Sequence, residues 1–215
     1  MPWLYRPGRA LARFCFSNLG RMDVTGREAV PPFGPLIVVS NHLSNHDAPL
    51  LAAALPRRLT FLGKQELFNN PLLAWAMRGV NVHPLDRAGM GLEAMRLALD
   101  LLAKDHAIVL FPEGHRSPDH AMRQGMAGAI YLALRAQAPI LPVGISGTER
   151  APTWRMPFPM CRFRASIGQP FTLPVLEGRP SRPVVDSLRD LMMQRIAALL
   201  PEQYRGVYGV ARRKE

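Results

Sequence analysis

The sequence is poor in cysteine, in lysine, in acidic residues and in long apolar runs. The two cysteines, Cys15 and Cys161, do not make a disulfide framework, and a reducing compartment is the expectation. No apolar run approaches the roughly 18–20 residues of a membrane-spanning helix. The first apolar stretch is interrupted by Arg6, Arg9 and Arg13, unlike a secretory leader. No zinc-finger or RNA-binding signature and no dense basic run occurs, which argues against a nucleic-acid partner. No phosphate-cradling glycine loop is present, and Gly144-Ile145-Ser146-Gly147 lacks the spacing of a nucleophile elbow. No internal repeat is visible.

What is present is a hydrophobic fraction of 48% over 215 residues, enough for a folded core of one domain. Lys and Arg number 27 against 16 acidic residues, a net charge of +11 that points to an anionic partner. Only Lys64, Lys104 and Lys214 are lysines, and the remaining cations are arginines, which suit bidentate phosphate contacts; a compositional bias of the source explains the preference equally well.

Residues 3–20 read as a basic amphipathic helix. Leu4, Leu11, Cys15 and Leu19 share one side, and Arg6, Arg9 and Arg13 the other. With Trp3, Tyr5 and Phe16 it suits a bilayer interface, or else packs as an ordinary surface helix. Strand and helix signals then alternate. Strands are expected over 36–40, 59–63, 80–85, 107–111 and 140–146, with an edge strand over 162–167. Helices are expected over 48–55, 71–78, 92–102, 123–137 and 184–200. The expected fold is α/β, a mostly parallel sheet flanked by helices, with the N-terminal amphipathic helix attached. The expected organisation is a docking helix over 1–20, the main domain over 21–204, and a loose basic tail over 205–215.

Ligands of open α/β sheets bind beyond the carboxyl ends of the strands. Three strand ends are unusually polar: Asn41 to Asp47, Asp86-Arg87, and Pro112 to Ser117. His42 and Asp47 are the sharpest pair. Histidine is the usual general base, and a carboxylate beside it fixes its tautomer. Alternatively, Asp47 caps the following helix and His42 is a loop histidine. His42, His46 and Asp47 also form a weaker candidate metal cluster, which would suit a metal-dependent hydrolase. Arg87 and Arg116 are candidate phosphate clamps, or salt-bridge partners of Asp86 and Glu113. Glu113 is equally suited to contacting substrate or to orienting its loop. Lys64, closing the strand over 59–63, is a candidate phosphate or oxyanion contact.

In this order the motifs resemble the glycerolipid acyltransferase superfamily, in particular bacterial 1-acylglycerol-3-phosphate acyltransferases. Asn41-His42 with Asp47 matches its N-H-x4-D block, and Gly79 through Arg87 resembles the second block. Phe111-Pro112-Glu113-Gly114-His115-Arg116-Ser117 matches its F-P-E-G-[ST]-R-S block, and Pro139 through Val143 its apolar-proline block. The lead-in Val24 to Glu28 and a helix start at Arg123-x-Gly125 also fit.

The resemblance implies acyl transfer from acyl-CoA or acyl carrier protein to the free hydroxyl of a lysophospholipid, 1-acylglycerol-3-phosphate giving phosphatidic acid. It implies His42 as base, Asp47 as its orienter, no acyl-enzyme and no cofactor. Arg87, Glu113, Gly114 and Arg116 would contact the glycerol phosphate. His115 stands where the family block carries a small hydroxyl residue, which opens the acceptor site to another lysolipid such as an aminolipid. The expected location is peripheral, on the cytoplasmic face of the cell membrane.

Overall fold

The computed structural model describes residues 2–85, 91–152, 158 and 160–209. Among them seven strands form one sheet: β1 (Arg21–Thr25), β2 (Leu36–Ser40), β3 (Leu59–Lys64), β4 (Val82–Leu85), β5 (Ala107–Leu110), β6 (Ile140–Ser146) and β7 (Arg162–Ile167). Their order is β1-β7-β6-β2-β5-β3-β4. The pairing from β6 through β4 is all parallel; β7 runs antiparallel to β6, and β1 runs parallel to β7. The helices are α1 (Tyr5–Phe14), α2 (Asp47–Ala54), α3 (Pro71–Gly79), α4 (Leu92–Ala103), α5 (Gly128–Ala136) and α6 (Arg182–Ala197).

The central strands are apolar without interruption because both sheet faces are covered. In β2, Leu36 and Val38 enter a core beneath α2 with Leu50, Leu51 and Phe163. Ile37 and Val39 enter the opposite core, beneath α4, α5 and α6, with Leu102, Ile130 and Met192. Parallel pairing brings the carboxyl ends of β2, β3, β4, β5 and β6 to one edge, where the polar loops gather. Asp86 and Arg87, which follow β4, lie outside the described residues.

Four expectations are corrected. The strand over 162–167 is internal, paired on one side with β6 and on the other with β1. Its exposed Arg162 and Arg164 alternate with buried Phe163, Ala165 and Ile167 because only one face of the sheet is covered there. The true edge, β1, is short and polar, and its alternation rests on only Met22 and Val24.

The helix expected from residue 123 starts at Gly128. Residues before it give their N–H groups to other partners: Arg123 to the Glu113 carboxylate, Gly125 to the Tyr208 hydroxyl and Met126 to the Pro112 carbonyl.

The N-terminal segment is α-helical only to Phe14, followed by a π-helical turn over Cys15–Leu19, and it belongs to the core rather than beside it. Tyr5 and Phe16 are 5% and 2% exposed. The Tyr5 hydroxyl accepts from the Leu59 N–H at 2.7 Å, and Phe16 packs edge-on against Phe163. Arg9, expected on the outer face, turns inward and donates to the carbonyls of Leu55 and Pro56 at the end of α2. Leu11, expected on the packed side, is 60% exposed.

The described part of the tail is anchored rather than loose. Val207 N–H donates to the Met122 carbonyl, and Met122 N–H donates to that of Tyr204. Gly206 has φ +50°, and a Cβ there would sit 2.0 Å from the Met122 carbonyl oxygen. Gly206→Ala therefore meets both backbone strain and a clash, and is expected to lower stability by about 2–3 kcal/mol. Tyr208→Phe, which removes two long hydrogen bonds, from the Gly125 N–H at 3.2 Å and to Asp190 at 3.5 Å, should lose only about 1 kcal/mol. Urea denaturation of both variants checks the ordering.

Candidate active site

β2 ends at Ser40, and the chain leaves the sheet through Asn41, which is 1% exposed. The Asn41 side chain acts as an extra peptide group. Its amide donates to the Ile145 carbonyl and its oxygen accepts from the Ile145 N–H, both at 2.9 Å. β2 is thereby tied to β6 at the point where His42 begins to rise above the sheet edge.

Asp47 opens α2 and is fully buried. One carboxylate oxygen accepts from His42 Nδ1 at 2.6 Å and from the N–H groups of Leu43 at 2.6 Å and Ser44 at 2.8 Å. The other accepts from the Thr148 hydroxyl at 2.6 Å. A carboxylate is an acceptor only, so the Nδ1 of His42 carries the hydrogen and the lone pair lies on Nε2. The His42 ring is stacked on Phe111, with centroids 4.1 Å apart and planes at 18°. Its side chain retains 22% exposure against 0% for Asp47, so the imidazole can be reached from solvent while its partner is sealed. Of the two roles considered for Asp47 the structure shows one: it is the first residue of α2 but its carboxylate accepts from no N–H of that helix, and it holds the histidine instead.

The loop after β5 grips the backbone of the same residue. Glu113 Oε1 accepts from the His42 N–H at 3.0 Å, and Oε2 accepts from the Arg123 N–H at 2.9 Å. The Ser117 N–H donates to the His42 carbonyl at 3.0 Å. Glu113 is 5% exposed, and of its two open roles this geometry is that of a clamp. Burial pushes its carboxyl above the ordinary glutamate range, and the N–H groups of Arg123 and His42 pull it back. Gly114 makes the turn possible: φ is +73°, and a Cβ would meet Met126 Sδ at 2.6 Å.

Arg116 and Lys64 are exposed, and neither has a carboxylate partner among the described residues. Arg116 does not bridge to Glu113, whose oxygens serve the backbone. Lys64 ends β3, two strands from β2 and so about 10 Å away along the edge. His115 lines an adjoining cavity of about 600 Å³, with Glu113, Asp119, Arg123 and Val207.

The His42, His46 and Asp47 set does not fit a divalent cation. The Asp47 oxygens are taken up by four donors, and the His46 ring is fully buried. Among the described residues no three His, Cys, Asp or Glu side chains gather in a metal-binding arrangement. Sequence reasoning missed Thr148 and the bracing role of Asn41. The available signal was a fourth polar strand end, Ser146-Gly147-Thr148 after β6.

A family model described as Acyltransferase matches residues 21–146, more than half of the chain, which takes in His42, Asp47 and Glu113 and stops two residues short of Thr148. The chain belongs to the acyltransferase family. It is 36% identical over 132 residues to a human protein named 1-acyl-sn-glycerol-3-phosphate acyltransferase alpha, covering 60% of this chain and 47% of that protein. It thus spans about half the length of several curated relatives that it matches. A Bacillus subtilis protein named 1-acyl-sn-glycerol-3-phosphate acyltransferase is 24% identical over 196 residues, covering 87% of this chain and 96% of that one. The crystal structure of the 1-acyl-sn-glycerophosphate (LPA) acyltransferase PlsC from Thermotoga maritima superposes with TM-score 0.73 at 27% identity, over 91% of this chain and 78% of that one.

Two outcomes test this geometry. Glu113→Gln replaces one acceptor by an NH2 group facing an N–H donor. It is expected to lower stability by about 2–3 kcal/mol, read as a shift in the urea midpoint. Burial holds His46 below the ordinary histidine range, and neighbouring Asp47 only partly opposes this. The unfolded chain then binds the proton more readily, so stability is full above about pH 6.5 and falls as the pH drops below it. His46→Leu removes this contribution while leaving the other histidines in place. Between pH 7.5 and pH 5 its stability should fall by about 1 kcal/mol less than that of the wild type; equal slopes would refute the assignment.

Proposed function

We propose that this chain transfers a fatty acyl group from the thioester of acyl-CoA or acyl carrier protein to the free hydroxyl of 1-acylglycerol-3-phosphate, giving phosphatidic acid. The observation that carries the reading is the 2.6 Å contact between His42 Nδ1 and buried Asp47, which leaves Nε2 free beside open solvent. The names of the relatives support the substrate class.

In this mechanism His42 Nε2 takes the proton of the acceptor hydroxyl as its oxygen attacks the thioester carbonyl. The Asp47 carboxylate holds the ring and offsets the charge that forms on it. The tetrahedral intermediate collapses with expulsion of the thiolate, which takes the proton from His42. No covalent enzyme intermediate is needed. Arg116, Arg87 and Lys64 bind the acceptor phosphate. The separation of β3 from β2 suits Lys64 to that phosphate rather than to the carbonyl oxygen. Glu113 and Gly114 act through the loop that fixes His42. His115, on the adjoining cavity, gives the acceptor site a chemistry of its own, so a panel of lysolipids that includes an aminolipid reads out the headgroup.

The acceptor lies in a bilayer, and no described helix is long and apolar enough to cross one. Docking falls to exposed Trp3, Leu11 and Phe14 of the N-terminal segment, with Leu72 and Trp75 of α3. The rings of Trp3 and Trp75 meet at 4.4 Å and join the two helices into one apolar face. The proposed site of action is peripheral, on the cytoplasmic face of the membrane.

Thiol release from acyl-CoA in the presence of lysolipid, with the product identified by mass spectrometry, tests the reading. His42→Ala should lower turnover by about 10²–10⁴-fold while remaining folded, with a melting point lowered by the loss of its bond to Asp47. Asp47→Asn should lose activity to a similar degree. Turnover of folded His42→Ala close to wild type would refute the base assignment.

A further inference from the structure

At the far end of α2 from His42, three arginines line one cavity. Arg9, Arg13 and Arg27 surround a space of about 290 Å³ floored by Ala53, Ala54 and Pro56. None of the three forms a salt bridge among the described residues. The Nε groups of Arg9 and Arg27 are buried with no hydrogen-bond partner. An unpartnered buried donor is costly, and here two sit at one small cavity. Burial, then Arg13 and Arg9, hold the Arg27 guanidinium below its ordinary value, so the three cations repel one another without a counter-charge.

The end of a helix is ordinarily a poor place for an anion, because the last carbonyls carry partial negative charge. That objection is met: Arg9 donates to the carbonyls of Leu55 at 2.7 Å and Pro56 at 3.4 Å. The side chains of Arg13 and Arg27 make no hydrogen bond among the described residues. Their planar donor forks match the oxygens of a phosphate.

The setting distinguishes a lipid phosphate from a free one. Arg13 lies on α1 next to Phe14 and two residues from Leu11, which are 53% and 60% exposed. Seating those side chains in acyl chains brings the arginines to headgroup depth. We propose that the Arg9, Arg13 and Arg27 cavity binds the headgroup phosphate of an anionic phospholipid, at a site apart from the His42 edge. The site makes α1 selective for anionic membranes instead of merely apolar.

The test uses the full chain and vesicles of phosphatidylcholine with and without phosphatidylglycerol, and reads sedimentation without turnover. Arg13→Ala with Arg27→Ala is expected to lose affinity for the anionic vesicles by about tenfold or more. It should leave the weak binding to pure phosphatidylcholine unchanged. A control of equal charge loss, Arg135→Ala with Arg179→Ala, should lose no more than about threefold. Arg13→Ala alone, at an exposed position, should fall between wild type and the double variant, and guards against misfolding of the latter. Equal losses in the two double variants would reduce the effect to net charge and overturn the site. Unchanged affinity in the first would do the same. A thermal shift with inorganic phosphate that depends on Arg13 and Arg27, without any change in vesicle affinity, would overturn the lipid as occupant.

Discussion

A single buried carboxylate organises the candidate active site. Asp47 has no exposure to water and is ligated by two backbone N–H groups, a hydroxyl and an imidazole. A hydrogen bond to a charged group contributes about 1.5–3 kcal/mol, and several together offset the burial of the charge. The consequence is geometric. Leu43 and Ser44 fold back over Asp47, Thr148 brings in the end of β6, and His42 has one tautomer and one direction left to it. The Phe111 ring beneath and the Glu113 loop around its backbone remove the remaining freedom. In the proposed mechanism, preorganisation of this kind puts the cost of ordering the base into folding rather than into each turnover.

Much of this was legible in the sequence because the relevant signals are local. The apolar run of β2 followed by Asn41 to Asp47, and that of β5 followed by the Pro112 to Ser117 loop, state both the strand and where it stops. Parallel connectivity then sends those loops to one edge. What escaped was set by partners distant in sequence. Thr148 reaches Asp47 across 101 residues, and Asn41 reaches Ile145 across 104. Arg123, Gln124, Met126 and Ala127 are good helix formers, but the N–H groups of Arg123, Gly125 and Met126 are claimed by Glu113, Tyr208 and Pro112. β1 was missed because a five-residue edge strand with three polar positions has almost no pattern to detect.

The N-terminal segment shows how one periodicity admits two orientations. Its basic and apolar stripes are real, but the stripe facing the domain is chosen by Tyr5, Cys15 and Phe16, which fill the core beside α2. Arg9 follows them inward because the end of α2 offers carbonyls that a guanidinium satisfies well. Leu11 and Phe14 are left outside. A helix that is apolar on one side only would have hidden that side. This one has apolar residues left over after the core is full, and the proposed docking rests on that surplus.

The +11 charge divides into cations that the fold uses internally and cations that it leaves free. Arg57 spends its guanidinium on the carbonyls of Pro31, Phe33, Gly34 and Asp105, Arg189 pairs with Asp186 and Asp190, and Arg195 lies over Phe171. These arginines stabilise the fold and say nothing of a partner. The charge that bears on function is the part without internal partners. Among the described residues it includes Arg116 and Lys64 at the edge carrying His42, and Arg13 and Arg27 at the other end of α2. A bulk count cannot separate these groups from the structural ones. A census of which guanidinium groups already have acceptors can, and the groups it leaves free include those at two places where a phosphate would meet positive charge: the edge carrying His42 and the cavity beside α1.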